Sequence, residues 1–313
     1  MKILVTDPIA EEAMDLLKKK HEVVFKDITG EDLIKEIPPY HALMVRSGTK
    51  VTREVIENAE NLIVIGRAGI GVDNIDLDAA TEKKIKVVNS PTGATISVAE
   101  LTIGHMISLA RHLPKADRTI KNGEWAKKKL KGIELCKKTL GLVGCGNIGR
   151  MVAKYAKAFG MNVIGYDPFI SKEDMEKDGI EKIDDLGILM EKADFISLHI
   201  PHIPQTHHII DKKMIAKMKP SAYLINCARG GTVDEKALYE ALVQGKIAGA
   251  ALDVYENEPP GKIPLVSLEN VVCTPHLGAS TKEGQIRAGT ICAEQILKVL
   301  DGEEPDFWVN KNK

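Results

Sequence analysis

Residues 144–149 read GCGNIG, a GxGxxG spacing placed between an apolar run at 140–143 and a helix-compatible stretch at 151–159 with Val152, Tyr155, Ala156 and Phe159 on one face. In that context the first glycine permits a tight turn and the second lets backbone approach a pyrophosphate. The third lets the helix pack close to the strand, with phosphate charge meeting the helix N-terminus. Asp167 ends the next apolar run, 23 residues after Gly144. An acid there accepts hydrogen bonds from ribose hydroxyls and repels a 2′-phosphate, so the pair reads as a dinucleotide site that favours NAD over NADP. Farther on, Arg229, Glu258 and His276 each follow a strand-like run, and ligands of open parallel sheets bind beyond C-terminal strand ends. Hydride transfer between an alcohol and a ketone needs a group that exchanges the hydroxyl proton, a task that suits His near neutral pH. Glu258 would hold the imidazole, and Arg229 would clamp a substrate carboxylate with two parallel hydrogen bonds. Spacing alone leaves the plainer readings open: a structural His, a surface Glu and a surface Arg.

Such residues need elements to hold them. Short β-branched runs alternate with amphipathic stretches almost from end to end, the pattern of parallel strands joined by covering helices, so the expected class is α/β. A first series of strands is expected at 2–6, 23–25, 42–46, 62–66 and 86–89, and a second at 139–143, 162–166, 194–199, 222–226, 248–254 and 271–274. A length of 313 residues favours two domains. Ser97 with Glu100 reads as a capping box that opens a long connecting helix to Ala110, and Ser280 with Glu283 as another that opens a final helix to about Leu300. The tail at 305–313 is expected to form no further element.

Composition narrows the function classes. Lys and Arg total 43 against 44 Asp and Glu, a net charge of -1, which gives no argument for a nucleic-acid or anionic-membrane partner. The Lys-rich stretch 127–131 reads as a solvated surface. No apolar run is long enough to span a membrane, and the opening MKILVTD reads as a first strand rather than a signal-peptide core. Five cysteines (136, 145, 227, 273 and 292), odd in number and without a CxxC pair, suit reduced thiols in the cytoplasm and leave no metal site at zinc spacing. Adjacent His207 and His208 read as ordinary polar residues on different faces. Cys227 reads as a small lining residue, since a nucleophilic thiol needs a base.

Five segments carry a resemblance: IGRAGIGVDNIDLDAAT at 65–81, GLVGCGNIG at 141–149, INCARGGTVDEK at 225–236, ALDVYENEPP at 251–260 and TPHLGASTKEGQI at 274–286. They are similar to the D-2-hydroxyacid dehydrogenases, and the likeness covers nearly the whole chain. It implies two doubly wound parallel-sheet domains. A Rossmann dinucleotide-binding domain (96–283) would be inserted into a flavodoxin-like substrate domain (1–95 plus 284–313), with a cleft that closes on substrate and excludes water. It assigns Arg229, Glu258 and His276 to catalysis. NAD would meet Gly144, Gly146, Asn147, Ile148 and Gly149 at the pyrophosphate and Asp167 at the ribose. Ile200, Pro201, Cys227, Ala228, Arg229 and Asp253 would line the nicotinamide side, closed by His276, Gly278 and Ala279. Arg46, Ser47, Arg67 and Gly69 would join Arg229 and His276 around the substrate.

The resemblance further implies a small 2-hydroxyacid substrate and a homodimer through the dinucleotide domain and its 111–130 arm. Within the family the motifs sit nearest the branch that oxidises D-3-phosphoglycerate to 3-phosphohydroxypyruvate in serine biosynthesis. A phosphate would require cations beyond Arg229, with Arg46 and Lys50 the first candidates. Two positions depart from that branch: Ile70 stands where a Thr is frequent and Ala94 where an Asn is frequent. A glyoxylate or hydroxypyruvate reductase needs only the one carboxylate clamp, and NAD-sensing corepressors of the same lineage keep the three catalytic residues. The end near Lys313 leads us to expect no regulatory extension and no feedback control by serine.

Overall fold

Alternation of apolar runs and amphipathic stretches becomes an alternation of strand and helix. The computed structural model describes residues 1–311, and residues 312–313 of the expected element-free tail lie outside them. In chain order the elements are β1 (Lys2–Val5), α1 (Glu11–Lys18), β2 (Glu22–Phe25), α2 (Gly30–Glu36), β3 (Ala42–Val45), α3 (Arg53–Asn58), β4 (Val64–Arg67), α4 (Leu77–Glu82) and β5 (Lys86–Asn89). Then follow α5 (Thr95–Arg111), α6 (Leu113–Lys121), β6 (Thr139–Val143), α7 (Asn147–Ala158), β7 (Asn162–Tyr166), α8 (Lys172–Lys177), β8 (Glu181–Lys182), α9 (Leu186–Lys192) and β9 (Phe195–Leu198). The last are α10 (Lys212–Ala216), β10 (Tyr223–Asn226), α11 (Glu235–Val243), β11 (Gly249–Leu252), β12 (Val271–Cys273) and α12 (Lys282–Leu300). Among the described residues no helix is long and apolar enough to cross a membrane.

Two compact units result, one formed by Met1–Thr95 with the chain from Ala279 onward, the other by Ile96–Gly278. The return to the first unit therefore comes before residue 284, with the turn that precedes α12. The first unit holds a parallel sheet in the order β2-β1-β3-β4-β5, the flavodoxin-like order. Alternate strand residues face opposite sides. Leu4, Leu43, Ile65 and Val87 pack with Leu33, Val55, Ile56 and Ala79 on one face. Ile3, Val5, Met44, Val64 and Val88 pack with Leu17, Cys292, Ile296 and Leu300 on the other. At Gly66 a Cβ would press on Ile296 and Cys292, so β4 can be covered by α12 at that distance only with glycine there.

The second unit holds the order β12-β11-β10-β9-β6-β7-β8, all parallel. Both neighbours of β6 follow it in sequence, and the order reverses there; this is the switch point at which such sheets take ligands. The two-residue edge strand β8 has no counterpart among the expected strands, because a run that short carries no periodicity.

Both expected capping boxes start at the wrong residue. α5 begins at Thr95, and Ser97 is buried inside its first turn, 4% exposed, where it cannot cap the entrance. α12 is capped by Thr281, whose Oγ1 accepts the Gly284 N–H at 2.9 Å, one residue later than Ser280. Intrinsic capping preference favours Ser slightly over Thr, so the buried stripe of Gly284, Ala288, Cys292, Ile296 and Leu300 decides the register.

The tail adds no named element, but it pairs with β5 through an antiparallel Val88–Trp308 bridge. Asn310, 5% exposed, anchors that return. Its Oδ1 accepts from Val87 N (2.8 Å) and Trp308 Nε1 (2.9 Å), and its Nδ2 donates to Ile85 O and Thr81 Oγ1, both at 3.0 Å. Replacing Asn310 by Ala strands several buried groups, and urea unfolding should show a loss of about 2–4 kcal/mol. A loss below about 0.5 kcal/mol would mean that water replaces these bonds without cost.

Candidate functional site

The glycine turn is built by collisions that a side chain would cause. Gly144 has φ +94°, and a Cβ there would meet the carbonyl of His199; at Gly149 it would collide with the carbonyl of Gly144. Gly146 differs, since a Cβ there would touch nothing within 4 Å. It is the N-cap of α7 and offers no side-chain cap, which leaves the first-turn N–H groups at Asn147 and Ile148 as donors for an anion. This open cradle at the mouth of a 12-residue helix fits a pyrophosphate. At the end of β7, Asp167 is fixed by two backbone donors: Oδ2 accepts from Cys145 N and Oδ1 from Phe169 N, both at 2.9 Å. Each carboxylate oxygen retains acceptor capacity for a ribose hydroxyl.

Across the switch point, the next strands deliver the other expected residues from the same C-terminal edge. Ile200 and Pro201 follow β9. Cys227, Ala228 and Arg229 follow β10, whose last residue, Asn226, shapes the turn: its Oδ1 accepts Ala228 N (3.0 Å) and its Nδ2 donates to Arg229 O (3.0 Å). Arg229 Nη1 donates to Ala228 O at 2.7 Å. A Cβ at Gly230 would collide with the carbonyl of Tyr255, so the Arg229 turn lies directly against the segment after β11 that carries Glu258.

There Glu258 uses both oxygens. Oε1 accepts Tyr255 N at 3.1 Å, and Oε2 lies 2.7 Å from His276 Nδ1. An ionised carboxylate only accepts, so Nδ1 carries the hydrogen of this bond and Nε2 is the ring nitrogen that Glu258 does not engage. His276 stands in the left-handed region at φ +52°, and Asp253, at the end of β11, holds that turn. The Asp253 carbonyl accepts His276 N (2.8 Å), Oδ1 accepts Leu277 N (2.7 Å) and Thr274 Oγ1 (2.6 Å), and Oδ2 accepts Gly278 N (2.8 Å).

Three histidine environments escaped the sequence reading. His207 and His208 do not point to different faces: their rings stack with centroids 4.0 Å apart, because His208 takes φ +49° and swings back. His207 Nδ1 lies 3.0 Å from His202 Nε2, and His208 Nε2 lies 3.0 Å from Glu256 Oε1. His199 lies beneath the glycine turn, and burial pushes its imidazole down to about 3. Cys227 has an imidazole beside it after all, since His105 Nδ1 is 3.4 Å from its Sγ. Burial lowers the His105 imidazole below its ordinary range and pushes the thiol up to about 12, so the pair is neutral and the thiol is not activated. Only the spacing of His105 on the buried stripe of α5 hinted at this, and that stripe reads as core.

In the first unit, Arg46 and Ser47 follow β3, while Arg67 ends β4 with Gly69 two residues on. Asp7 Oδ2 accepts Arg46 N at 2.6 Å, and Arg46 Nη1 donates to Pro8 O at 2.9 Å. Gly69 lies under the Arg67 guanidinium, which a Cβ would displace. Ile9, Ala10, Arg46, Gly69, Ala279 and Gln285 line one shallow pocket. Lys50 is exposed, and Ala94 is buried. Among the described residues no three His, Cys, Asp or Glu side chains are grouped to hold a metal ion.

Filling the open cradle is a clean test of the anion site. Gly146→Ala should leave the melting temperature unchanged, because the new methyl meets no protein atom. It should weaken NAD by about 10-fold or more in a calorimetric titration, a cost of about 1.4 kcal/mol. Unchanged affinity would place the dinucleotide elsewhere.

Residues 103–278 match the model of the D-isomer specific 2-hydroxyacid dehydrogenase, NAD binding domain. The chain is 58% identical over 99% of its length to a D-3-phosphoglycerate dehydrogenase of Methanocaldococcus jannaschii, of which it covers 59%. It is 50% identical over 96% of its length to a hydroxypyruvate reductase of Thermotoga maritima, of which it covers 98%. A D-lactate dehydrogenase of Aquifex aeolicus, solved as a complex with NAD and lactic acid, superposes with a TM-score of 0.85 at 30% identity, covering 97% of this chain and 96% of that one. The chain spans 54–59% of the length of the first curated relatives it matches. With more than half of its residues in the family's NAD-binding domain and relatives matched at this identity, the chain belongs to the D-isomer specific 2-hydroxyacid dehydrogenases.

Proposed function

We propose that this chain oxidises D-3-phosphoglycerate to 3-phosphohydroxypyruvate with NAD, as in serine biosynthesis. The observation that carries the reading is the 2.7 Å contact between His276 Nδ1 and Glu258 Oε2, on the strand edge that also bears the glycine turn and Arg229. NAD, when bound, supplies a nicotinamide ring that takes the hydride from the carbinol carbon. His276 Nε2 takes the hydroxyl proton, and Glu258 faces the imidazolium that forms. Arg229 clamps the carboxylate and orients the carbinol carbon. Ile200, Pro201, Cys227 and Ala228 supply the apolar lining that keeps water from the hydride path, with Asp253, Gly278 and Ala279 closing it.

A substrate with a phosphate besides its carboxylate needs more positive charge than Arg229 carries, and Arg46, Arg67 and Lys50 supply it, with Ser47 and Gly69 as hydrogen-bonding neighbours. Relatives named D-3-phosphoglycerate dehydrogenase at 49–58% identity support this substrate. The hydroxypyruvate reductase matched along nearly its whole length supports a second reading, in which an unphosphorylated ketoacid is reduced. Leu113, Ile120 and Trp125, exposed at 48%, 57% and 81%, support a homodimer formed through the 111–130 arm. The place of action on this reading is the cytoplasm, with a small hydroxyacid as partner and neither nucleic acid nor membrane.

Turnover of 3-phosphoglycerate, glycerate and lactate, and of hydroxypyruvate and glyoxylate in reverse, with NAD and NADP forms, tests the reading. Efficient turnover of 3-phosphoglycerate with NAD supports it, and turnover of unphosphorylated acids alone selects the reductase. His276→Ala should lower kcat by about 10²- to 10⁴-fold while NAD affinity barely changes. Arg46→Ala should raise KM for the phosphorylated acid by about 10- to 150-fold, the equivalent of a charge-assisted pair of about 1.5–3 kcal/mol. Equal losses toward phosphorylated and unphosphorylated acids would assign Arg46 to the fold or to the carboxylate.

A further inference from the structure

Among the polar side chains that helix α5 buries is the imidazole of His105, which lies behind the candidate site. His105 is 3% exposed, and both ring nitrogens are engaged: Nδ1 lies 3.4 Å from Cys227 Sγ and Nε2 lies 3.2 Å from Thr274 Oγ1. Nothing in the proposed chemistry uses this ring directly.

The proton positions along this chain of groups follow from the acceptor at its end. Asp253 is fully buried with no cation among its hydrogen-bond partners, so its carboxylate takes only neutral donors: Thr274 Oγ1 and Leu277 N on Oδ1, Gly278 N on Oδ2. The Thr274 hydroxyl has one hydrogen, and at 2.6 Å from a carboxylate oxygen that hydrogen is committed to Asp253. Thr274 Oγ1 can then only accept from His105, which requires a hydrogen on Nε2. The buried ring is neutral, so Nδ1 is bare and accepts the Cys227 S–H. All the bonds point one way, from Cys227 through His105 and Thr274 to Asp253.

We propose that His105 is a positioning residue for His276: its Nε2–H locks the Thr274 hydroxyl onto Asp253, and Asp253 in turn holds the left-handed turn that aims the imidazole. The proposal rests on the reading of His276 as the proton-exchanging group. A left-handed conformation at a residue other than glycine is held only when its surroundings over-determine it, and here Asp253 accepts the backbone N–H groups of three successive residues, His276, Leu277 and Gly278. The chain also begins at Cys227, two residues before Arg229, so one buried imidazole ties together the turns that carry Arg229 and His276.

Three variants of the full chain with NAD separate the outcomes. His105→Gln keeps a donor toward Thr274 and an acceptor toward Cys227, whereas His105→Leu keeps the bulk and removes both. Thr274→Val breaks the next link. In nitrogen-15 histidine spectra of the unaltered protein, His105 should show the Nε2–H tautomer, since its ring donates to Thr274 Oγ1 and accepts from Cys227. The His276 Nδ1–H resonance should persist in His105→Gln and broaden or vanish in His105→Leu and Thr274→Val. In turnover, His105→Leu should lower kcat by about 10- to 100-fold with KM for NAD within about threefold, and His105→Gln should restore kcat.

A His105 ring that carries its hydrogen on Nδ1, or a His276 resonance indifferent to all three variants, overturns the proposal. So does a His105→Gln variant as impaired as His105→Leu while both melt like the unaltered protein. Absence of turnover with any 2-hydroxyacid in the unaltered protein counts against the proposed function alone, because the two spectroscopic readouts still decide whether His105 positions the His276 ring.

Discussion

A carboxylate buried without a cation must find neutral donors for its lone pairs or give up its charge. Asp253 meets that condition by drawing in the hydroxyl of Thr274 and the backbone N–H groups of Leu277 and Gly278. Those donors belong to the turn after β12, so satisfying one charge fixes the course of that turn and gives His276 its left-handed backbone. Glu258 reaches the imidazole because it starts from the neighbouring strand, and its second oxygen is held by Tyr255 N. The geometry around His276 is thus a consequence of where one buried carboxylate had to find its hydrogen-bond donors.

The parallel sheet of the second unit turns this local arrangement into an ordered edge. Strands β12, β11, β10, β9, β6 and β7 are neighbours in that order, and their C-terminal ends present His276, Glu258, Arg229, Ile200, the glycine turn and Asp167 in the same order. Residues spread over more than a hundred positions of chain become a row whose spacing is that of adjacent strands. Close approach is secured by missing side chains. Gly149 lets α7 lie against the first glycine of its own turn, and Gly230 lets the Arg229 turn lie against Tyr255. Gly146 is open instead of crowded, so packing gives no reason for a glycine there.

Burial also decides which polar groups are chemically quiet. Cys227 and His105 have the partners of a nucleophile and its base, yet desolvation disfavours the thiolate and the imidazolium alike, so the pair rests as a neutral hydrogen bond. His199 beneath the glycine turn is neutral for the same reason. By contrast His276 and Glu258 have side chains 47% and 37% exposed, accessible to a reactant.

What the sequence by itself determined is local or nearly so. The strand runs, most of them placed within a residue or two, follow from apolar patterning with a period short enough to read. The GxGxxG turn and Asp167 were readable because both lie within one strand-helix-strand unit. The order of Arg229, Glu258 and His276 after three strand-like runs pointed to one edge, and the family resemblance supplied their roles. Only the tertiary structure decided the rest. It chose Thr281 over Ser280 as the cap of α12, because either hydroxyl can accept the bond and packing of the buried stripe on β4 decides between them. It stacked His207 on His208 through a left-handed residue that no side-chain pattern announces. And it set His105 beside Thr274 and Cys227, partners 169 and 122 positions away in sequence, whose meeting depends on how α5 packs against the ends of β10 and β12, a long-range contact that no local pattern along the chain encodes.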